Sequence, residues 1–518
     1  MEWLESINAA VYNVVWGPIM LVLLIGTGIY LSIRCGFLQA RKFGYIWKNT
    51  FATLFHKEKS EAHKSDGTNV TPFQAVSTAL GSTIGVGNVA GVAGAIAAGG
   101  PGAVFWMWIS AFFGMCTKYA EIVLAVHYRE VSPDGTHHGG PMYYIERGLH
   151  MKWLACIFAI LGGLATFGIG NATQAAEISV AVNNLTGTGY DSSLITGIVL
   201  MVLVGIVILG GLHRISTVTS YLVPFMALFY IVIGLGVILG NAAMIPGAFG
   251  QIFSGAFSFE AVGGGVFGYV ILQAMKNGFA RGVFSNEAGL GSAPIAHAAS
   301  STKDPVKQGM WGVFEVFVDT IVVCTITALV VILSGLYTGT LTGGALTAKA
   351  VETLTGSVWG GHFIRVALIL FALSTILGWE YYGETCWSSC DVIRTSGEGA
   401  GAERFFHQRE VHRAISARVV QSDLQMAIIE INGVDKGGNE FEAERLICQV
   451  TGAELFQPED DTLAGVGRAQ RLFCIQRLLQ LLFLRFQLQE AILCGGCNDT
   501  GFDGGHNIPN GDSRLLQL

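Results

Sequence analysis

Charged side chains are scarce in this sequence. Asp, Glu, Lys and Arg make up 13% of its 518 residues, whereas hydrophobic residues make up 51%. A soluble globular chain carries about 25% charged residues. The composition therefore excludes an ordinary soluble domain and predicts that most side chains face lipid or one another. The net charge of −7 is small for this length, and we expect no nucleic-acid partner.

Signals for metal, redox or catalytic chemistry are also lacking. The ten Cys show no repeated spacing and so predict no disulfide framework. Cys494 and Cys497 form a single CxxC without a second pair, which is a weak zinc signal. His137 and His138 have no carboxylates at ligand spacing, and no catalytic constellation is present. We therefore expect neither an enzyme nor a bound cofactor.

Nine apolar segments, each about as long as a bilayer is thick, predict membrane-spanning helices. They cover residues 11–33, 72–99, 103–127, 153–182, 193–211, 217–240, 262–284, 309–335 and 362–384. The residues before the first span include Glu2 and Glu5 and no basic side chain. That is not typical of a cleaved signal peptide, so we expect the first span to be retained.

The distribution of Lys and Arg among the loops predicts the orientation of the chain. Loop 34–68 is rich in both, and the loops expected on the same side, 128–152, 212–216 and 285–308, also contain basic residues. The alternate loops 100–102, 183–192 and 241–261 contain none, and loop 336–361 contains only Lys349. We expect loop 34–68 in the cytoplasm and the N terminus outside. The predicted location is the plasma (inner) membrane, multi-pass, with the lipid bilayer as a partner.

Two of the spans are interrupted by glycines and polar residues at mid-membrane depth, at 80–88 (LGSTIGVGN) and 273–282 (QAMKNGFARG). Such backbone is costly in lipid unless it is buried or lines a cavity. A pair of interruptions at corresponding positions of two halves indicates a transporter site. Counted from residue 72, these two lie in the first and sixth helices, which fits two halves of five helices. The alternative is that the glycine-rich helices merely pack tightly.

Four motifs resemble those of the alanine or glycine:cation symporter family: 71–75 (TPFQA), 81–91 (GSTIGVGNVAG), 139–145 (GGPMYYI) and 284–292 (FSNEAGLGS). Gly378-Trp379 and 381–384 (YYGE) add a further match. The resemblance covers about residues 3–385. It implies an all-α membrane protein of the leucine-transporter type, with inverted five-helix repeats and one extra N-terminal helix. It also implies sodium-driven uptake of alanine, glycine or a similar amino acid.

The sequence after Tyr382 departs from that family. Its members continue with two more membrane helices, and none is predicted here, so we expect the second repeat to be incomplete. We divide the chain into a transmembrane symporter domain at 1–385 and a non-membrane tail at 386–518. The tail is either a genuine soluble segment or a disordered, out-of-frame product of a frameshift near Cys386. Its abrupt change in composition favours the second interpretation.

The first interrupted span contains the residues predicted to bind the substrate carboxylate. Where a helix unwinds, its second half presents free N–H groups and a positive dipole end to an anion. The small residues Gly81, Ser82 and Gly85 leave that backbone accessible. The carbonyls freed there, at Thr83 and Ile84, are predicted to bind sodium. The resemblance adds Ser374 and Thr375 of span 362–384, because carriers of this fold complete a sodium site with two hydroxyls there; the alternative for Ser374 is a bond within its own helix.

Other polar residues in the spans are predicted to line the substrate site. Asn171 and Gln174, at i and i+3, share a helix face, although ordinary interhelical hydrogen bonding is the alternative. Trp379 is predicted to limit the size of the substrate side chain, with an interfacial anchor as the alternative. The same prediction covers Gln74 and Thr78 in the first core helix and Gln273 and Asn277 in the second interrupted segment.

An acidic residue near the cytoplasmic end of span 103–127 allows two interpretations. An intramembrane acid such as Glu121 is a functional candidate by default, here for a proton relay. It lies three residues from Lys118, and a structural ion pair between the two is the favoured prediction.

The leading hypothesis is sodium-coupled symport of alanine, glycine or a similar small neutral amino acid into the cell by alternating access. The alternatives are an uncoupled facilitator, a transporter-like amino-acid sensor and an inactive truncated symporter.

Overall fold

A computed structural model describes residues 17–55, 69–133, 135–187, 193–257 and 266–395. These residues are almost entirely helical, with a single two-stranded antiparallel sheet among them that pairs β1 (Glu130–Val131) with β2 (His137–His138). The α-helices are α1 (Pro18–Arg34), α2 (Leu38–Arg41), α3 (Phe43–Asn49), α4 (Pro72–Thr83), α5 (Val92–Gly99), α6 (Ala103–His127), α7 (Pro141–Leu149), α8 (Lys152–Ala165), α9 (Thr173–Thr186), α10 (Ser193–Ile208), α11 (Gly211–Gly240), α12 (Ile245–Phe257), α13 (Val266–Asn286), α14 (Ala293–Ala298), α15 (Pro305–Val316), α16 (Thr325–Ser334), α17 (Gly343–Thr355) and α18 (Val358–Thr395). Wider π-helical turns join α4 to α5, α8 to α9 and α15 to α16, at Gly87–Gly91, Thr166–Ala172 and Phe317–Cys324.

Five helical stretches of the described residues are long and apolar enough to cross a membrane. They are Gly102–His127, Lys152–Thr186, Gly211–Gly240, Pro305–Ser334 and Val358–Ser389. A sixth span is formed by Pro72–Thr83 together with Gly87–Gly99, which are bent by 47° relative to each other. The predicted spans 11–33, 193–211 and 262–284 coincide with α1, α10 and α13 as far as these residues are described. The prediction of a helical, multi-pass membrane protein is confirmed.

The bend in the first core span begins where the hydrogen bonds of α4 stop. The last regular bond runs from Ile84 N to Leu80 O, over 2.7 Å. Gly85 N points instead toward Asn88 Oδ1, 3.0 Å away. The carbonyl of Gly81 therefore lacks the donor four residues on that a continuous helix would supply. The predicted interruption at 80–88 is present.

The second interruption lies further along the chain than predicted. α13 runs as one helix from Val266 to Asn286, straight through residues 273–282. The chain then turns with φ 55° at Glu287, 93° at Gly289 and 78° at Gly291. Glycine adopts these left-handed values at little cost, and α14 begins only at Ala293. The prediction of a break at 273–282 is wrong.

The glycines of that predicted break serve helix packing instead. A Cβ at Gly278 would lie 2.7 Å from the Trp106 Cβ, and one at Gly282 would lie 2.8 Å from the Ser110 Cβ. Both distances are below van der Waals contact, so α13 approaches α6 closely only because these side chains are missing. Close approach at small residues is a common form of helix packing in membranes.

α18 packs among several other helices and positions most of the candidate site. It packs against α4, α8, α9, α11, α17 and the turn Thr166–Ala172, and it buries Phe371, Ile376 and Tyr382 completely or nearly so. The helix continues to Thr395, past the predicted domain boundary at residue 385. The rest of the predicted tail, with Cys494 and Cys497, lies outside the described residues.

Candidate functional site

Four oxygen atoms converge where α18 passes the break of the first core span. The hydroxyl of Ser374 lies 3.1 Å from Gly81 O and 2.8 Å from Phe371 O. The hydroxyl of Thr375 lies 3.1 Å from each of the same two carbonyls. The bond within its own helix that was the alternative for Ser374 thus exists, but the same hydroxyl also contacts the Gly81 carbonyl of α4. Both side chains are buried, so the cluster is a set of hard oxygen donors shielded from bulk water.

The close approach of these two helices depends on Gly85. A Cβ at this position would collide with Thr375 Oγ1 and would lie 3.5 Å from Gln174 Oε1. Gly85 therefore brings the broken segment against α18 and α9 at the same point. Three of the residues predicted from sequence, Gly85, Thr375 and Gln174, meet here.

Asn171 and Gln174 supply buried polar atoms with unused hydrogen-bonding capacity. Asn171 is fully buried in the turn Thr166–Ala172, and neither its Nδ2 nor its Oδ1 has a hydrogen-bond partner among the described residues. The Oε1 of Gln174 also lacks one within the described ranges, while its Nε2 donates to Ile169 O at 3.1 Å. A buried unsatisfied polar group costs about 1–3 kcal/mol, so these atoms are suited to a polar ligand.

Trp379 connects this region with the second break. Its Nε1 donates to Glu287 Oε1 at 3.1 Å, and Ser292 donates to the other carboxylate oxygen. A Cβ at Gly170 would lie 2.7 Å from the Trp379 Cβ, so the indole packs directly on the turn that contains Asn171. Glu287 was not among the predicted site residues. The sequence analysis placed it in loop 285–308 and not in a span, so the signal of an intramembrane acid did not apply to it.

A second buried network joins the two breaks through the turn Phe317–Cys324. Asn88 Nδ2 donates to Asp319 Oδ1 at 2.6 Å, and Ser285 donates to Asp319 Oδ2 at 2.9 Å. Asn88 also accepts a hydrogen bond from Gly85 N. Asp319 is therefore connected to the first break through the side chain of Asn88. Sequence analysis missed this acid as well, although it lies within the predicted span 309–335.

The polar side chains of α4 are mostly engaged within the helix or near its start. Gln74 closes a capping box with Thr71, and Thr78 Oγ1 lies 3.0 Å from Thr219 Oγ1 of α11. Ser82 and Thr83 bond to carbonyls one turn earlier, at 3.1 Å and 3.2 Å. Thr83 O accepts from Gly85 N at 3.0 Å. The carbonyl that contacts the hydroxyls of Ser374 and Thr375 is thus that of Gly81. The carbonyls of Thr83 and Ile84, which were predicted for this role, do not contact these hydroxyls.

Gln273 and Asn277 lie at the far end of the first core span. Asn277 donates to Gln273 O at 2.8 Å. Asn277 also lies against Gly99, since a Cβ added to Gly99 would be 3.0 Å from the Asn277 Cβ. Gly99 is the last residue of α5, so these two side chains are not brought together with Gly85 and Thr375.

The ion pair predicted between Lys118 and Glu121 is not formed. Lys118 Nζ pairs with Glu315 Oε1 at 3.0 Å and donates to Asn286 O at 2.7 Å. Glu121 Oε2 instead accepts from Gly289 N at 3.2 Å. The prediction considered only residues on one helix, whereas the tertiary fold brings a better-placed acid from α15.

Comparisons with known proteins identify the family of this chain. The sequence profile of the Sodium:alanine symporter family matches residues 1–397. The sodium/alanine symporter AgcS of Methanococcus maripaludis is 48% identical over 405 residues, covering 77% of this chain and 85% of the relative. The probable sodium/glutamine symporter GlnT of Bacillus subtilis is 38% identical over 383 residues, with 74% and 77% covered.

The fold has a solved counterpart. A structure described as the substrate-bound outward-open state of a Na+-coupled sialic acid symporter aligns with a TM-score of 0.50 at 12% identity. It covers 75% of this chain and 81% of that one. At that identity the likeness concerns the fold alone. The family comparison covers most of the chain and confirms the resemblance found in the motifs: this chain belongs to the Sodium:alanine symporter family, whose members are transporters and not enzymes.

Proposed function

We propose that this protein imports a small neutral amino acid such as alanine or glycine, together with sodium, by alternating access in the plasma membrane. The observation that carries the proposal is the contact of the Gly81 carbonyl with the hydroxyls of Ser374 and Thr375. A carbonyl released by a helix break, facing two hydroxyls in a buried site, is the kind of oxygen set that binds a coupling cation in such carriers.

The broken helices support an inverted-repeat arrangement. The first break follows α4 and the second follows α13, in the first and sixth membrane helices counted from residue 72. Sequential spans alternate in direction, so helices five apart cross in opposite directions. In our proposal, α4 to α11 form one repeat, and the helices from α13 onward form the corresponding members of the other.

The sodium ion is a transported substrate in this scheme. Gly81 O, Phe371 O and the hydroxyls of Ser374 and Thr375 are proposed as its ligands. When sodium binds, the two hydroxyl groups rotate so that their protons point away from the carbonyls. The lone pairs of all four oxygen atoms then face the ion. Sodium thereby joins α4 to α18, and its departure to the cytoplasm separates them.

The amino acid is proposed to bind beside this ion, between Gly85 and the turn Thr166–Ala172. The helical segment Gly87–Gly99 directs its positive dipole end toward the break, where it attracts the carboxylate. Asn171 and Gln174 supply the unsatisfied polar atoms that the substrate engages. Trp379, fixed by its bond to Glu287, limits the space for the substrate side chain and thus favours small amino acids.

The decisive experiment is uptake of radiolabelled alanine into proteoliposomes that contain the full chain, with and without an inward sodium gradient. Uptake above the equilibrium level only with the gradient supports coupled symport. Equal uptake without the gradient indicates a facilitator, and binding without flux indicates a sensor. Either result would contradict the proposal.

A further inference from the structure

Glu287, at the second break, is a buried carboxylate that contacts no basic side chain. It is 3% exposed. Its Oε1 accepts from Trp379 Nε1 at 3.1 Å, and its Oε2 accepts from the hydroxyl of Ser292. Both donors are neutral, and none of the ion pairs among the described residues includes Glu287. A carboxylate can accept about four hydrogen bonds, so Glu287 keeps capacity for a further donor.

The charges around Glu287 do not compensate it. Lys118 is the base whose charge acts on it most, and Glu315 acts on it with the opposite sign. These two side chains form an ion pair of their own at 3.0 Å, and His297 Nε2 is likewise directed at Glu315, at 3.0 Å. Glu121 adds a further carboxylate beside the same break. A buried charge without a partner is costly, so this part of the structure suits a cationic group.

Glu287 adjoins the proposed alanine position through Trp379. The Trp379 Cβ packs against Gly170, which precedes Asn171 in the turn Thr166–Ala172. The separation between this turn and the carboxylate is thus one indole side chain plus a hydrogen bond of 3.1 Å. An α-amino acid holds its ammonium nitrogen and carboxylate oxygens about 3 Å apart, and a charge-assisted hydrogen bond adds about 2.8 Å at each end. One molecule along the indole therefore reaches both.

The two breaks also lie against each other. A Cβ at Gly87 would be 4.0 Å from Phe284 Cδ1, three residues before Glu287. The positive dipole end of Gly87–Gly99, proposed for the substrate carboxylate, and the negative charge of Glu287 therefore come from neighbouring segments. A zwitterion needs such opposite charges at its two ends.

Asp319 is another acid between the breaks, and its carboxylate is already occupied. It accepts from Asn88 Nδ2 at 2.6 Å, from the Ser285 hydroxyl at 2.9 Å and from the Thr320 hydroxyl at 2.7 Å. These neutral side chains enclose it, and it is 0% exposed. Glu287 accepts from two donors among the described residues, so it has more capacity for a ligand.

We propose that Glu287 binds the ammonium group of the amino acid in the central site. The ammonium donates to Glu287 while the carboxylate faces the first break, and the Trp379 indole lies along the substrate between them. The site thereby selects molecules with a free α-ammonium group and rejects 2-hydroxy acids of the same shape. The inference rests on the proposed function, because it takes the central site as the substrate site.

The test compares binding of radiolabelled alanine with that of radiolabelled lactate, in which a hydroxyl replaces the ammonium group, to the purified full chain in sodium buffer. Glu287→Gln removes the charge and keeps an oxygen that accepts from Trp379. It should weaken alanine binding about 10- to 100-fold and leave lactate binding within about threefold, because the lost contact involves a charged group. Glu287→Asp keeps the charge but withdraws it by one methylene, and should show a smaller loss that is again confined to alanine.

Glu121→Gln is the matched control. Its carboxylate accepts from Gly289 N at 3.2 Å beside the same break, whereas the indole N–H of Trp379 is directed at Glu287. It should change the affinity for neither ligand by more than about threefold. An equal loss of alanine and lactate binding in Glu287→Gln, unchanged alanine binding there, or an alanine loss of the same size in Glu121→Gln overturns the assignment. Lactate that binds the unmodified chain as tightly as alanine overturns it too.

Gradient-driven alanine uptake by the same chains in proteoliposomes separates this inference from the proposed function. Sodium-driven uptake by the unmodified chain, together with unchanged alanine binding in Glu287→Gln, overturns the role of Glu287 alone. An alanine-specific loss in Glu287→Gln without sodium-driven uptake by the unmodified chain overturns symport and retains the ammonium site. An unmodified chain that binds no alanine overturns both.

Discussion

Thr375→Val tests the proposed cation site most directly. The substitution keeps the volume of a buried side chain and removes the hydroxyl that lies 3.1 Å from both Gly81 O and Phe371 O. Ser374 continues to contact both carbonyls, so neither is left unpaired in the sodium-free protein. We therefore expect the free energy of unfolding to fall by only about 1 kcal/mol.

The effect on sodium should be much larger. An interaction with a charged partner contributes about 1.5–3 kcal/mol, and each 1.4 kcal/mol is about a tenfold change in affinity. Losing one of four oxygen ligands should raise the sodium concentration for half-maximal alanine uptake by about 10- to 150-fold. The maximal rate at saturating sodium should change far less. The assay is initial uptake into proteoliposomes at graded external sodium.

Thr83→Val is the matched control. Its hydroxyl is equally buried and lies close to the same break, but it bonds to Ala79 O and Leu80 O of its own helix, at 3.2 Å and 3.3 Å. We expect less than about a threefold change in sodium dependence. A similar shift for both variants, or an unchanged sodium dependence in Thr375→Val, would refute the reasoning.

Three further predictions concern the same region. Gly85→Ala should abolish sodium-coupled uptake, because the added methyl group collides with Thr375 Oγ1; normal uptake would exclude a tight contact between the break and α18. Asn171→Leu should abolish uptake while leaving the melting temperature equal or higher, since it removes a buried amide without partners among the described residues; a lower melting temperature together with normal uptake would indicate a structural role. Lys118→Met should destabilise the protein by about 1–3 kcal/mol, because buried Glu315 loses its lysine partner and keeps only the contact with His297 Nε2 at 3.0 Å. The double variant with Glu315→Gln, which removes the charge and keeps an acceptor for His297, should recover part of that loss in a thermal-melting assay; equal melting of the single and double variants would contradict the pairing.

Much of the architecture was predictable because it follows from local composition. Runs of apolar residues as long as a bilayer must be helical, since backbone groups in lipid have no other partners. The glycines and the amide at 80–88 predicted the first break for the same local reason, and Gly85 lies within it. The contact of Ser374 and Thr375 with the first core helix was available only through family resemblance, because nothing in span 362–384 itself indicates which helix it faces.

Only the tertiary structure decided which interruptions are real and which polar residues meet. Gly278 and Gly282 look like a helix break in sequence, yet they pack α13 against α6, and the break comes instead at Glu287. Lys118 pairs with Glu315 across helices and not with its sequence neighbour Glu121. The physical reason is that composition determines whether a segment spans the membrane. Its rotation and depth relative to other helices are determined by packing and by the pairing of buried polar groups, which arise between residues far apart in the chain.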